Sequence, residues 1–242
     1  SDITTKSADW SAAGAGTNTP KGFLARTRSY SGTGIRTERV WAWGCSSNPN
    51  RLYFGELYGG TPANLTDFSS NNSFELLTGH GDGIIAMAEF GDRLFAFGKQ
   101  RTFYIDDNSA TIANWGTNPA QFTGGLGGQR LVVNTPFDLV VMAEDGDIYS
   151  VITAEQYGDY KSASLTSASF IHNWIKDNVD LAYINDFHAI YDPVLRALKF
   201  FVVRKNTTYV DTCLMYFIDR GPADGWIIHD NKASASGYKV SS

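Results

Sequence analysis

Three short apolar runs stand close together in the sequence, at 84–90, 93–97 and 102–105. They are separated by Gly91-Asp92 and by Gly98-Lys99-Gln100. Apolar runs of this length, broken by short gaps, are typical of strands, and glycine supplies the positive φ that tight hairpin loops need. The stretch therefore predicts a three-stranded antiparallel meander.

The same design recurs along most of the chain. Further pairs of apolar runs flank polar or glycine-containing turns at 39–43 with 51–54, 138–143 with 147–152, 187–191 with 197–203, and 212–218 with 225–229. Repeated small meanders are typical of β-propeller blades. We expect an all-β, β-propeller-like array of antiparallel meanders with about four to five blades, complete or incomplete. A β-sandwich is the alternative fold.

The composition favours the same fold class. The chain has 12 Tyr, 15 Phe, 6 Trp and 24 Gly, and aromatic strands broken by glycine turns are typical of sheet proteins. Its 242 residues suffice for one large all-β domain. Residues 1–22 are rich in small and polar side chains and are predicted to be an N-terminal arm or loop. Residues 23–242 are predicted to be a single all-β propeller-like domain.

One segment breaks the strand pattern. Between residues 167 and 179 the apolar side chains recur at helical spacing, and Ser and Thr residues precede them as candidate caps. The apolar stripe consists of Phe170, Ile171, Trp174, Ile175 and Val179. We predict one short amphipathic helix near 167–179 that packs against a sheet.

Charge and cysteine content exclude several classes of protein. The formal net charge is −5 and no long block of Lys or Arg occurs, which argues against a sequence-reading nucleic-acid protein. No apolar run approaches the roughly 20 residues of a membrane-spanning helix, so we expect no membrane partner. Cys45 and Cys213 are expected to be two free thiols, because one widely spaced pair is no disulfide framework.

No catalytic, cofactor or metal site is predicted, although several patterns were weighed. His80-Gly81-Asp82-Gly83 is typical of a turn, and the glycine run 124–128 lacks dinucleotide-binding spacing. The four histidines, His80, His172, His188 and His229, show no metal-ligand spacing. Asp106-Asp107-Asn108 and Asp145-Gly146-Asp147 match no calcium loop.

Two features keep a carbohydrate-related alternative open. Turn carboxylates could form an acid and base pair if folding brings two of them within about 5–10 Å. The carboxylates in question are Asp67, Asp82, Asp92, Asp106, Asp107, Asp145 and Asp147. Trp10, Trp115 and Tyr157 are expected to be exposed and could stack on sugar rings, although wedging between sheets is the commoner role of a single aromatic residue.

The order of the strands and turns resembles a set of structural proteins of tailed bacteriophages. The resemblance covers residues 39–229. It is carried by the segments Asn50–Phe54, Gly60–Phe68, Gly81–Ile85 and Phe90–Phe97, and downstream by Leu126–Gly128, Ala143–Tyr149, Asp192–Val203, Met215–Asp219 and Gly225-Trp226. These segments form a pattern of apolar strands and turns that contains no catalytic motif.

The resemblance implies relatives among nozzle (tail tubular) proteins and neck or hub-stabilising proteins. It implies a virion localisation after synthesis in the bacterial cytoplasm, and a non-enzymatic role in tail or neck assembly and DNA retention. The implied partners are other tail or neck proteins and further copies in a ring, with a hexamer favoured, around the DNA channel. Non-specific contact with packaged DNA is compatible with the negative charge, because an acidic wall repels phosphate and lets the DNA slide past without sticking. The alternative function is a carbohydrate-binding or glycan-hydrolysing propeller for host recognition.

Overall fold

The computed structural model describes residues 20–29, 36–55, 73–76, 82–109, 111–120, 122, 124–157 and 163–230. The chain divides into two compact units, Ser1–Ala120 and Gln121–Ser242. Every strand pair in the described part of the chain is antiparallel, so the all-β class is confirmed. The prediction of a single domain over 23–242 stays a prediction. Most of the predicted arm at 1–22 lies outside the described residues, but Gly22 already belongs to the first strand.

The first unit contains two four-stranded sheets. The first sheet has the order β1 (Gly22–Ser29), β2 (Arg36–Trp43), β3 (Arg51–Phe54) and β4 (Ser73–Glu75). The second has the order β5 (Ala86–Phe90), β6 (Arg93–Phe97), β7 (Thr102–Asp106) and β8 (Gly116–Pro119). The meander predicted at 84–105 is therefore confirmed, with β8 as an additional strand, and the predicted pairing of 39–43 with 51–54 is confirmed as well.

The second unit also contains two sheets. The third sheet has the order β9 (Val132–Asn134), β10 (Leu139–Met142) and β11 (Ile148–Ser150). The fourth has the order β12 (His188–Asp192), β13 (Ala197–Val202), β14 (Thr212–Phe217) and β15 (Trp226–Asp230). The described part of this unit also contains three α-helices, α1 (Val151–Tyr157), α2 (Phe170–Asn178) and α3 (Gly221–Asp224), and two short 3₁₀-helices, Leu181–Tyr183 and Ile218–Arg220. The three strand pairs predicted here are confirmed.

Glycine forms the tight turn between β5 and β6. Phe90 pairs with Arg93, which leaves Gly91 and Asp92 as a two-residue loop. Gly91 has φ +57°, as expected at the first central position of a type II′ turn. The loop thus fixes the register of the hairpin.

The core of the first unit lies between its two sheets. Apolar side chains of β2 and β3 form one cluster with side chains of β5, β6 and β7. Trp115, just before β8, packs with its ring centroid 5.7 Å from that of Trp41 and 5.3 Å from that of Phe54. Because aromatic rings bury a large area, this contact is a major contribution to the packing of the two sheets.

Helix α2 confirms the predicted helix near 167–179 and packs against the turn that joins β10 to β11. The Ser169 hydroxyl caps it by accepting a hydrogen bond from the Ile171 backbone N–H. Ile171 and Ile175 are buried, and Ile175 packs so closely on Gly146 that a Cβ there would lie 2.8 Å from its Cγ2. Phe170, predicted on the packed side, is instead 55% exposed. It is the first residue of the helix, and the buried residues Ile171 and Ile175 follow it.

The expectation of a single helix was wrong, because 151–157 is helical. The sequence predicted a strand over 147–152, but β11 ends at Ser150 and α1 follows directly. The Ser150 hydroxyl accepts a hydrogen bond from the Thr153 backbone N–H, which is the geometry of a helix N-cap. This local capping outweighs the strand preference of Val151 and Ile152.

Candidate functional site: the turn face of the second unit

Three connections of the second unit meet at one end of its sheets. They are the β9–β10 turn (135–138), the β12–β13 turn (193–196) and the β14–β15 connection (218–225). The Ile218 backbone N–H donates to the Arg196 carbonyl at 3.1 Å. The Arg196 guanidinium lies 5.5 Å from the centroid of the Phe137 ring. We call this end of the unit the turn face.

Hydrogen bonds within the turns hold the turn face in place. The Thr135 hydroxyl oxygen accepts from the backbone N–H groups of Phe137 and Asp138, at 3.2 and 2.9 Å. The Asp192 carboxylate accepts from the two backbone N–H groups of Val194-Leu195, at 3.0 and 3.1 Å. Side-chain caps of this kind restrict the turn backbone. The side chains on these turns therefore project from a defined scaffold.

The outer edge of the turn face exposes large apolar side chains. Phe137 is 61% exposed, Val194 89% and Leu195 47%. We call these three residues the apolar rim. Arg196 beside them forms an ion pair with Asp219, with an N–O distance of 3.1 Å. Clustered exposed apolar side chains on ordered turns are typical of protein-binding surfaces.

A small cleft of about 80 Å³ opens beside the apolar rim. Its walls are mainly apolar and come from both sheets of the unit and from the segment before α2: Val140, Leu165, Leu198 and Ile218. Thr135, Asp138 and Tyr216 are its polar members, and Phe137 belongs to both the cleft and the rim. Sites for drug-sized ligands are usually about 300–1,000 Å³, so this cleft suits a much smaller group.

The cleft perturbs both of its titratable groups. Burial raises the pKa of the Asp138 carboxyl, although hydrogen bonds from Ser150 and from the Ile152 backbone oppose the shift. Burial also raises the pKa of the Tyr216 hydroxyl, and the nearby Asp138 carboxylate adds to that shift. The cleft thus contains a carboxylate whose negative charge is poorly solvated.

A second polar cluster joins the third sheet to α2. The Asp147 carboxylate lies 2.6 Å from His172 Nδ1 and accepts a hydrogen bond from the Thr166 hydroxyl at 3.0 Å. The Tyr149 hydroxyl donates to the same carboxylate at 3.4 Å. Asp147 therefore connects the start of β11 with the segment before α2 and with α2 itself.

The structure places the predicted glycine run in a packing role. A Cβ on Gly127 would overlap the Ile184 side chain, and one on Gly128 would lie 2.8 Å from the Ile184 carbonyl oxygen. No helix begins at residues 124–128, which are irregular. The run therefore permits close approach of the chain around Ile184 and lacks the helix N-terminus that a phosphate cradle uses.

The outcomes for the other weighed residues differ. The expectation that Trp115 is exposed was wrong: it is 8% exposed, and the Arg39 guanidinium lies 4.1 Å from its ring centroid, which is a cation–π contact inside the core. Trp10, Asp67 and His80, and the side chain of Tyr157, lie outside the described residues. Cys45 and Cys213 are both buried thiols, and the Cys45 sulfur lies 3.4 Å from the Ser47 hydroxyl oxygen.

Two observations in the described residues concern a metal site and a pair of catalytic carboxylates. Within them, no group of three or more His, Cys, Asp or Glu side chains could hold a metal ion. The lining of the cleft includes one carboxylate, Asp138, which the sequence did not single out. Little in the sequence indicates that Asp138 lies in a cleft, because the other lining residues, Leu165, Leu198 and Tyr216, are distant from it in sequence.

Comparison with known proteins gives no match: no protein-family model and no curated protein sequence matches the chain. Among the residues that the structure covers, none of the helices has the length and apolar character needed to cross a membrane.

Proposed function

We propose that the chain is a non-enzymatic structural component of a phage tail or neck, which assembles into a ring around the DNA channel with a hexamer favoured. The apolar rim is the observation that carries the proposal. It offers Phe137, Val194 and Leu195 to a neighbouring tail protein or to another copy of the chain. The tail or neck assignment itself rests on the resemblance of the strand and turn pattern.

The recurrence of one supersecondary unit supports a propeller-like array. Among the described residues, three of the four sheets are four-stranded antiparallel meanders, and the third sheet has the three strands β9, β10 and β11. The edge of the third sheet is extended by residues 163–165: Ser150 N–H donates to the Ala163 carbonyl at 2.9 Å, and Leu165 N–H donates to the Ile148 carbonyl at 2.8 Å. Four meanders of this kind match the blade design of a propeller.

A ring also explains why a small exposed patch suffices for assembly. Each rim residue is already partly buried in the unit, so docking can bury only the rest of its side chain. Full burial of a large apolar side chain contributes roughly 1.5–3 kcal/mol, which is therefore an upper limit to the contribution of each rim residue to the binding free energy. In a closed ring every copy repeats the contact, so the assembly is more stable than one interface alone would make it. The turns that carry the rim are already ordered, which reduces the entropy lost on docking.

Charged substitutions in the apolar rim test the proposal. The double variant Val194→Asp/Leu195→Asp places two carboxylates in the proposed contact. Light scattering should therefore show loss of the ring form. The circular-dichroism spectrum should stay that of the wild type, because the substituted side chains are exposed. Phe170→Asp is the matched control, because Phe170 is 55% exposed in the same unit but lies on α2. This control should assemble like the wild type.

Two results would contradict the proposal. One is a wild-type chain that stays monomeric at all concentrations and is missing, by mass spectrometry, from particles of a phage that encodes it. The other is a double rim variant that assembles as well as the Phe170→Asp control. Equal assembly would show that the rim does not form the contact.

A further inference from the structure

The cleft beside the apolar rim combines a narrow apolar channel with one charged group. Val140, Leu165 and Leu198 contribute its apolar walls, and Asp138 and Tyr216 contribute its polar groups. Its volume of about 80 Å³ exceeds the space that a single water molecule needs, which is about 10–15 Å³. It is too small for a sugar ring or a nucleotide. A narrow group with an apolar stem and a polar end fits these dimensions.

The negative charge of the Asp138 carboxylate favours a cationic group at the polar end of the bound molecule. Asp138 is the acidic residue of the lining, and the Tyr216 hydroxyl is close enough for the two groups to interact electrostatically. The Arg196 guanidinium lies 5.5 Å from the centroid of the Phe137 ring, which lines the cleft, but it is already paired with Asp219. A cation that entered the cleft would restore to the Asp138 carboxylate the stabilisation that burial removes.

We propose that this cleft binds a primary alkylammonium group, the end of a lysine side chain contributed by a partner protein. The methylene stem of the lysine contacts Val140, Leu165 and Leu198, and its ammonium group pairs with Asp138. Long cationic side chains bury an apolar stem and present a charged end in this manner. Phe137 belongs both to the apolar rim and to the lining of the cleft, so the lysine projects from the surface that docks on the rim.

The inference extends the proposed function by giving the chemistry of the partner, and it rests on that function only for the source of the lysine. The binding of the group itself is a property of the chain alone. It is therefore measurable on the purified chain of 242 residues without any assembly.

A series of small probes tests the cleft directly. The methyl resonances of Val140, Leu165 and Leu198 are followed by NMR while n-butylammonium, n-butanol or butyrate is added to the wild-type chain. We expect saturable shifts with n-butylammonium, and affinities at least about tenfold lower for the alcohol and the carboxylate, since a charge-assisted hydrogen bond commonly contributes that factor. Equal or tighter binding of either of those two probes, or no saturable shift with n-butylammonium, would overturn the proposal.

Two variants confirm where the probe binds. Asp138→Asn retains the shape of the side chain but removes its charge, and should weaken n-butylammonium binding about tenfold while leaving n-butanol binding unchanged. Tyr216→Phe, which keeps the ring, should weaken it less and guards against a folding defect in the Asp138 variant, since Asp138 also accepts a hydrogen bond from the Ile152 backbone. Unchanged n-butylammonium binding in a folded Asp138→Asn variant would refute the assignment.

The two proposals fail in different ways. A chain that binds n-butylammonium but forms no ring and is absent from particles would retain the cleft and lose the virion role. A chain that forms the ring but does not bind the probe would retain the virion role and lose the cleft.

Discussion

Substitution of Gly91 tests the hairpin on which the second sheet depends. Its φ of +57° lies in the left-handed region, and a Cβ built on it would meet no atom within 4 Å. A Cβ at this position therefore meets no atom outside the adjacent residues, and the backbone conformation sets the main effect. The left-handed conformation costs an L-residue roughly 1–2 kcal/mol, while loss of glycine's freedom in the unfolded chain returns about 0.4–1 kcal/mol.

The difference between these terms gives the expected change in the free energy of unfolding. Gly91→Ala should lower it by about 0.5–1 kcal/mol. Gly91→Val should lower it by more, about 1–2 kcal/mol, since a branched side chain tolerates positive φ least. The rank order follows from φ alone.

Urea denaturation of the full chain measures these values, and hydrogen exchange of the β5 and β6 amides assigns them to the hairpin. Gly116→Ala is the matched control in the same sheet: its φ is not in the left-handed region, and the nearest atom to a Cβ there is Asn118 Nδ2 at 3.8 Å. The control should be neutral or slightly stabilising. Gly91→Val and Gly91→Ala variants as stable as the wild type would refute the assigned turn geometry.

Three further substitutions or conditions test the second unit. Asp147→Asn weakens the charge-assisted contacts to His172, and should lower the free energy of unfolding by about 1.5–3 kcal/mol in urea denaturation; an unchanged midpoint would contradict the connecting role of Asp147. Ser169→Ala removes the cap of α2 and should cost about 1 kcal/mol by the same assay, with Ser167→Ala as a control outside the cap position. Burial raises the pKa of the Cys213 thiol to about 11 from its ordinary 9.0, so its contribution to stability is fully present below pH 9.0 and is lost as pH rises through about 11. Iodoacetamide, followed by mass spectrometry, should modify Cys213 in the native protein far more slowly than in urea at pH 8, and equal rates would contradict the burial.

Most strands could be predicted because each is a local signal. The apolar runs on either side of Gly91 and of Gly146 pair as predicted, since short runs with an intervening glycine turn leave few other pairings. Helix α1 could not be predicted in the same way. Val151 and Ile152 continue the apolar run of β11, and only the cap by Ser150 ends the strand there.

The candidate site was largely inaccessible from the sequence, because it depends on contacts between distant segments. Asp138 is a turn residue like many others until Leu165, Leu198 and Tyr216 enclose it. Trp115 was expected to be exposed, yet its neighbours in the core, Trp41 and Phe54, are more than sixty residues away in the chain. No local pattern reports on such packing, which the tertiary fold decides.

Electron cryo-microscopy of the purified chain tests the central claim most directly. The account predicts closed rings, sixfold in the favoured case, in which each copy shows antiparallel meanders as blades and the apolar rim lies in a contact between subunits or tail proteins. Particles of a phage that encodes the chain should show the same ring around the DNA channel. Monomers with the rim open to solvent at all concentrations, together with particles that lack the chain, would contradict the account.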